Sequence, residues 1–229
     1  YYFSFSDVPE DISEEDYLFI LDAREMERYE NTANDNSRSQ LLLSRWLLKN
    51  LLSEQTGKQP ESHEFQYTEN GKPYIDHKAI GHKKPVHFSL AHCNTSIAIA
   101  IGDTQVGIDV ENNQRKGQPW EQLHRFFNVD VGSRVDLLEQ EEDKKQFFFT
   151  HWTAMEAMVK MKGSKVAEER KHFARDFELK HDTQYLDTGN HHFYFTKVDE
   201  NEHLTVATRH AAKNIVLERL ALNGHSLSK

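Results

Sequence analysis

Apolar and polar residues along this chain follow two different periods. From Ser37 to Leu52, the residues Leu41, Leu42, Trp46, Leu47 and Leu51 recur in steps that leave one apolar stripe, which predicts a helix with Arg38 and Arg45 flanking that stripe. A longer helix is predicted from about Glu141 to Met161, with Phe148, Trp152, Met155 and Val159 on one stripe and Gly163 as its stop signal. Glu156 and Lys160 lie one turn apart at its edge and so share a face. Between these helices the period drops to two. Phe65-Gln66-Tyr67-Thr68 alternates and then meets Glu69-Asn70-Gly71-Lys72-Pro73, a turn signal before Tyr74-Ile75. Val86 to Leu90 reads as a short strand. Ser96 to Ile101 and Val106 to Glu111 read as the two arms of a β-hairpin around Gly102-Asp103-Thr104-Gln105.

The second half repeats the mixture. Trp120 to Phe127 reads as helical, and Phe173 to Leu179, His192 to Val198, Leu204 to Arg209 and Ile215 to Leu222 each read as strands. Helices and strands in both halves predict an α+β protein of two similar-sized lobes, residues 1–112 and 113–229, with the break near Glu111 to Gln118. No long Pro/Gly/Ser linker and no repeat at solenoid periods interrupts the chain.

At 229 residues the chain has room for a good core, and with 28% charged residues and no apolar run near the length of a membrane span it reads as a soluble globular protein rather than a membrane one. It opens on Tyr1 rather than Met and shows no signal peptide. The single cysteine, Cys93, makes no internal disulfide, so the cytoplasm is the expected compartment. A net charge of −9 disfavours nucleic acid as a partner, and any polyanionic ligand then needs a local basic pocket. The fourteen histidines show no zinc-type spacing; their one adjacent pair, His191-His192, follows a turn signal, and the scattered remainder are read as surface residues.

Candidate chemistry centres on Val106-Gly107-Ile108-Asp109-Val110-Glu111. Because side chains alternate across a strand, Asp109 and Glu111 point one way while Ile108 and Val110 face the other. With Glu156 on the long helix they make three acidic oxygen donors, a set suited to a hard divalent ion such as Mg²⁺ held against a phosphate. Each feature also has an ordinary reading. Asp109 and Glu111 fit the solvated end of a hairpin, and Glu156 with Lys160 fits an i,i+4 ion pair.

Taken in order, Gly71-Lys72-Pro73, Phe88-Ser89-Leu90-Ala91-His92-Cys93, Val106 to Glu111, and Trp152 to Lys160 followed by Gly163 resemble the 4′-phosphopantetheinyl transferases of the larger, surfactin-type class. The resemblance runs over most of the chain. It implies a pseudo-twofold pair of α+β lobes with the active site between them, and transfer of phosphopantetheine from coenzyme A to a serine of an apo acyl or peptidyl carrier protein, releasing adenosine 3′,5′-bisphosphate. It also implies that Asp109, Glu111 and Glu156 ligate Mg²⁺, or Mn²⁺ in its place, and that Lys160 stands near the reacting phosphates. Lys72, His92 and Arg45 then contact coenzyme A, and the protein acts as a monomer. For His92 the ordinary alternative is a buried, hydrogen-bonded strand-end histidine, and for Lys72 and Arg45 a solvated charge.

Three positions depart from that pattern. Met155 stands where the family has a lysine before the helix glutamate; Asp130 and Val131 follow Phe126-Phe127 where a glutamate base is often found; Ala91 replaces a common serine. Two functions from different classes therefore stay open: a working transferase using Asp130 or a metal-bound water as base, and a catalytically impaired relative that binds coenzyme A or a carrier protein. A metal-dependent phosphohydrolase is a third.

Overall fold

The computed structural model describes residues 1–9, 13–114, 127, 129–173, 183–223 and 226–229. Both helices expected from the apolar stripes form, each a little longer than its stripe. Helix α1 spans Ala23–Glu30 and α2 Asp35–Thr56; α3 is Val129–Asp136, α4 is Glu141–Lys162 and α5 is Val166–Phe173. The side chain of Asn34 accepts the Ser37 N–H at 2.9 Å and starts α2. Gly57 (φ 68°) and Gly163 (φ 69°) end α2 and α4 in the left-handed conformation that glycine tolerates, each donating its N–H to the carbonyl four residues earlier. Helix α1 had no apolar stripe to betray it. It is held by a capping box in which the Asp22 and Glu25 side chains each accept the other residue's backbone N–H.

Eleven strands are formed by the described residues: β1 Tyr2–Ser4, β2 Gln66–Tyr67, β3 Pro73–Tyr74, β4 His87–His92, β5 Ser96–Gly102, β6 Val106–Asn112, β7 Tyr185–Asp187, β8 His192–Lys197, β9 Glu202–Thr208, β10 Ala221–Asn223 and β11 Ser226–Ser228. They make antiparallel sheets of order β1-β5-β4 and β6-β9-β8-β7, with β2-β3 and β10-β11 as separate pairs. The mixed helix and sheet content is that of an α+β protein.

The expected hairpin between 96–101 and 106–111 does not form. Strand β5 is central in its sheet, with one edge taken by β1 and the other by β4, so no edge is left for β6. Strand β6 pairs instead with β9 along its whole length, from Val106 opposite Thr208 to Asn112 opposite Glu202. The two sheets meet where the buried Ser89 Oγ accepts the Ile108 N–H at 3.1 Å.

The expected strand from Ile215 to Leu222 reduces to Ala221–Asn223 and a single bridge from Arg219 to Tyr2. Ile215, Val216 and Leu217 lie on the surface, and a short apolar run alone does not distinguish that from a buried strand. Phe173 ends a helix rather than starting a strand, and 174–179 lie outside the described residues, as do 120–126 of the expected helix. The surface reading of the histidines fails for His63, His151 and His203, which are buried.

Helix α2 packs Leu47, Leu48, Leu51 and Leu52 against Phe3, Ile97 and Ile99 of the first sheet, and Leu220 and Leu222 near the chain's end return to this same cluster. Helix α4 packs Phe148, Phe149, Met155 and Ala157 against Phe193 and Ala207 of the second. Ala91, Ala98, Ile108 and Val110 fill the seam between the sheets. Burial of these apolar faces is the main favourable term in the fold. Helix α4 approaches β6 so closely that only glycine fits at 107: a Cβ there would lie 2.5 Å from the Met161 nitrogen and 2.9 Å from its Cβ.

Candidate active site

That close approach sets the site. On β6, Gly107, Asp109 and Glu111 face α4 while Ile108 and Val110 enter the seam, as the alternation predicted. Asp109 is buried, and its Oδ1 accepts the Lys160 ammonium at 2.6 Å. Its Oδ2 finds no hydrogen-bond partner among the described residues. Burial raises the Asp109 carboxyl to about 7; Lys160 works against that rise, and Glu111 and Glu156 add to it by repulsion. Glu156, half-buried, is likewise pushed up by burial first and by Glu111, against Lys160. Glu111 accepts the Trp152 indole N–H at 3.1 Å, which ties the strand to the helix a second time.

These three carboxylates thus share one electrostatic neighbourhood. Their all-oxygen chemistry, their mutual repulsion and the orphaned Oδ2 fit a hard divalent cation. Among the described residues, however, no three such side chains already stand in an arrangement that holds an ion. The Lys160 ammonium supplies the positive charge at Asp109.

Beside this cluster opens a cleft of about 640 Å³ whose lining includes all four residues expected to hold the coenzyme: Arg45 from α2, Lys72 from the β2–β3 turn, His92 from β4 and Lys160 from α4. Within a chain of net charge −9 this is a local concentration of cations. Arg28 of α1 joins them, with the hydroxyls of Ser44 and Ser89. Sequence reasoning missed these three; the Asp22…Glu25 spacing of a capping box was the available signal for α1 and hence for Arg28.

The four differ in how freely their charge reaches the cleft. Arg45 is buried, with Nε 2.6 Å from Glu25 Oε1, while Lys49 places its ammonium 2.7 Å from Oε2 of the same carboxylate. One carboxylate faces two cations, so the cleft wall holds a surplus positive charge. Lys72 donates to the Met161 carbonyl at 2.8 Å near the end of α4, and burial lowers its ammonium to about 8. This lysine closes the helix end, where carbonyls carry partial negative charge. His92 stays accessible to solvent; the surrounding protein, then Lys160, Arg28 and Arg45, hold it below the ordinary imidazole range.

Met155 is fully buried among Phe148, Phe149, Ala154 and Phe193, on the sheet side of α4. Ala91 is buried in the seam, where a serine hydroxyl would need a partner. Asp130 falls within α3, its side chain outside the described residues.

Residues 105–213, which carry Asp109, Glu111, Glu156 and Lys160, match the model of the 4′-phosphopantetheinyl transferase superfamily. Among curated proteins, 4′-phosphopantetheinyl transferase psf-1 of Bacillus pumilus is 28% identical over 154 residues, 67% of this chain and 56% of that protein. 4′-Phosphopantetheinyl transferase HetI of Nostoc is 27% identical over 157 residues, 67% of this chain and 64% of that protein. A 4′-phosphopantetheinyl transferase of Bacillus subtilis is 26% identical over 161 residues, 69% of this chain and 68% of that protein. The chain thus spans less than two thirds of the length of the first two relatives. No described helix is long and apolar enough to cross a membrane.

Proposed function

We propose, from the match of residues 105–213 to the 4′-phosphopantetheinyl transferase superfamily, that the chain is a member of it and that its cleft transfers 4′-phosphopantetheine from coenzyme A to a serine of an apo acyl or peptidyl carrier protein, releasing adenosine 3′,5′-bisphosphate. The observation that carries the proposal is the meeting of a cationic cleft with three mutually repelling carboxylates at one contact between β6 and α4. In this reading Asp109, Glu111 and Glu156 would hold Mg²⁺, or Mn²⁺, which when bound supplies charge neutralisation to a pyrophosphate that otherwise repels a nucleophile.

The chain's own residues do the rest. Arg28, Arg45 and His92 attract and orient the anionic coenzyme at the α2 side of the cleft. Lys160 leans on Asp109 at 2.6 Å and adds positive charge where the leaving phosphate gains negative charge. Lys72 acts mainly by fixing the end of α4, so that Glu156 and Lys160 keep their position against β6. Glu156, half-buried and pushed above the ordinary carboxylate range by burial, serves as a proton acceptor for the carrier serine.

The proposal extends to the surfactin-type class, to two lobes of residues 1–112 and 113–229 in a pseudo-twofold arrangement with the cleft between them, and to a monomer working in the cytoplasm. One helix on one antiparallel sheet in each half supports the lobes, with β6 reaching into the second sheet. The impaired-relative reading rested chiefly on Met155, and full burial of that side chain gives it a packing role that leaves the cleft's charges intact. Intact-mass measurement of candidate apo-carriers incubated with the protein, coenzyme A and Mg²⁺ tests the function. A gain of one phosphopantetheine is expected; no gain on any fatty acid, polyketide or nonribosomal peptide carrier would overturn it.

A further inference from the structure

A second cavity, of about 900 Å³, opens at the other end of α4, between that helix, the end of α3 and strands β8 and β9. Its size falls within the range of small-molecule sites. Phe147 and Phe195 give it apolar wall, and Arg134, Lys197 and Asp143 stand in the same lining. His203 stands in the lining at 4% exposure, and its Nε2 has no hydrogen-bond partner among the described residues. A buried polar atom left in that state costs on the order of 1–3 kcal/mol, so a ligand that satisfies it gains accordingly.

We propose that this cavity is a binding site for a small amphipathic carboxylate, an acyl or aryl acid whose chain or ring lies on the two phenylalanines and whose carboxylate meets Lys197 and the His203 ring, which lie opposite each other across β8 and β9. The donor set selects the class. A cationic ligand would face both basic side chains, and a purely apolar one would leave the His203 nitrogen unsatisfied. Burial, with Lys197 and Lys145 nearby, lowers the imidazole to about 4, so the ring is neutral near pH 7 and offers one N–H to an acceptor. The site stands independently of the transferase reading. Its consequence for that reading comes through register: His203 lies directly opposite Glu111 across β9 and β6, so an occupant touching His203 abuts the strand that carries the acidic cluster.

The test uses the full chain with ring-labelled histidine, octanoate as probe and octanamide as the uncharged control, followed by histidine-ring NMR and calorimetry. Octanoate is expected to move the His203 signal, assigned by its loss in His203→Gln, in a saturable way. Lys197 is exposed, so Lys197→Glu leaves the fold in place; it is expected to weaken octanoate at least about fivefold while changing octanamide less than twofold. Gln146→Trp, which fills the cavity from the wall of α4, is expected to abolish binding of both. No saturable shift of the His203 signal at millimolar octanoate overturns the proposal. So does octanoate binding that survives both variants unchanged, which marks uptake at some other apolar surface.

Discussion

Replacing Gly107 by alanine tests the claim that one contact between β6 and α4 builds the acidic site. Gly107 does not need a left-handed backbone; it is required because an added methyl would overlap the Ala157 carbonyl and lie 2.5 Å from the Met161 nitrogen. Both are backbone atoms of a helix whose neighbouring turns are locked by buried Phe148, Phe149 and Met158, so relief requires moving α4 off the sheet. Overpacking in a close-packed interior costs about 1–3 kcal/mol where side chains can shift, and a backbone obstacle places Gly107→Ala at or above about 3 kcal/mol. The displacement also lengthens the 2.6 Å contact between Lys160 and Asp109 and the 3.1 Å contact between Trp152 and Glu111. Urea unfolding at pH 7.5 should show a lower midpoint with an unchanged slope, together with a shift in Trp152 emission at zero urea. Adding Met161→Ala leaves the Cβ at 2.9 Å and both backbone atoms in place, and should recover little of the loss. A Gly107→Ala protein within about 0.5 kcal/mol of native, or one fully rescued by Met161→Ala, would refute the reasoning.

Four further outcomes follow from the same geometry. Glu156→Gln keeps shape but removes charge, so phosphopantetheine transfer should drop by orders of magnitude with the melting temperature retained; unchanged transfer would remove Glu156 from the site. Burial raises Asp109 from an unfolded value of 3.8 to about 7, so the stability tied to its proton is full below 3.8 and is lost as pH rises through 7. Asp109→Asn should therefore be more stable than native at pH 8, by on the order of a few kcal/mol, with the gap closing toward pH 4 in urea titrations. His203 runs the other way: lowered to about 4, it contributes stability above its unfolded 6.5 that fades as pH falls toward 4. At pH 5 that loss is about 2 kcal/mol, and His203→Gln should abolish it, measured as the difference between native and variant midpoints at pH 7.5 and 5. Met155→Lys would place an ammonium in a fully buried apolar cluster, so it should cost at least about 3 kcal/mol and lower the melting temperature by roughly 6–12 °C; equal stability with faster transfer would show that position 155 reaches the phosphates.

What could be read from the sequence divides by the range of the forces involved. The stripes of α2 and α4 and the alternation of β6 were legible because a repeating apolar face has one way to be buried, and Gly163 was legible because few other residues end a helix in its conformation. The partner of β6 was not legible. Strands β5 and β6 are separated by Thr104 and two flanking residues, which favours a hairpin locally, yet the outcome was decided by whether β5 had a free edge, and that depended on Tyr2–Ser4 at the far end of the chain. Likewise Ile215-Val216-Leu217 has the composition of a buried strand yet lies on the surface, and a short apolar run alone does not decide between the two.

The site shows the same division in its charges. Residue types gave the three carboxylates and the family resemblance the basic residues, but neither showed how each charge is used. Lys72 and Arg45 looked alike in sequence as coenzyme contacts; in the fold, the ammonium of one rests on the carbonyl of Met161, and the guanidinium of the other shares Glu25 with Lys49. A buried carboxylate facing two buried cations is costly unless something else stabilises the arrangement, because desolvation of each ion outweighs a single pairing. An anion in the adjoining cleft would do so by sharing the surplus charge of Arg45. The three carboxylates beside the cleft have the opposite imbalance, eased at Asp109 by Lys160. A ligand that carries phosphates toward Arg45 and a cation toward Asp109 would satisfy the cleft and the neighbouring acidic cluster at once, which is why the two make chemical sense together.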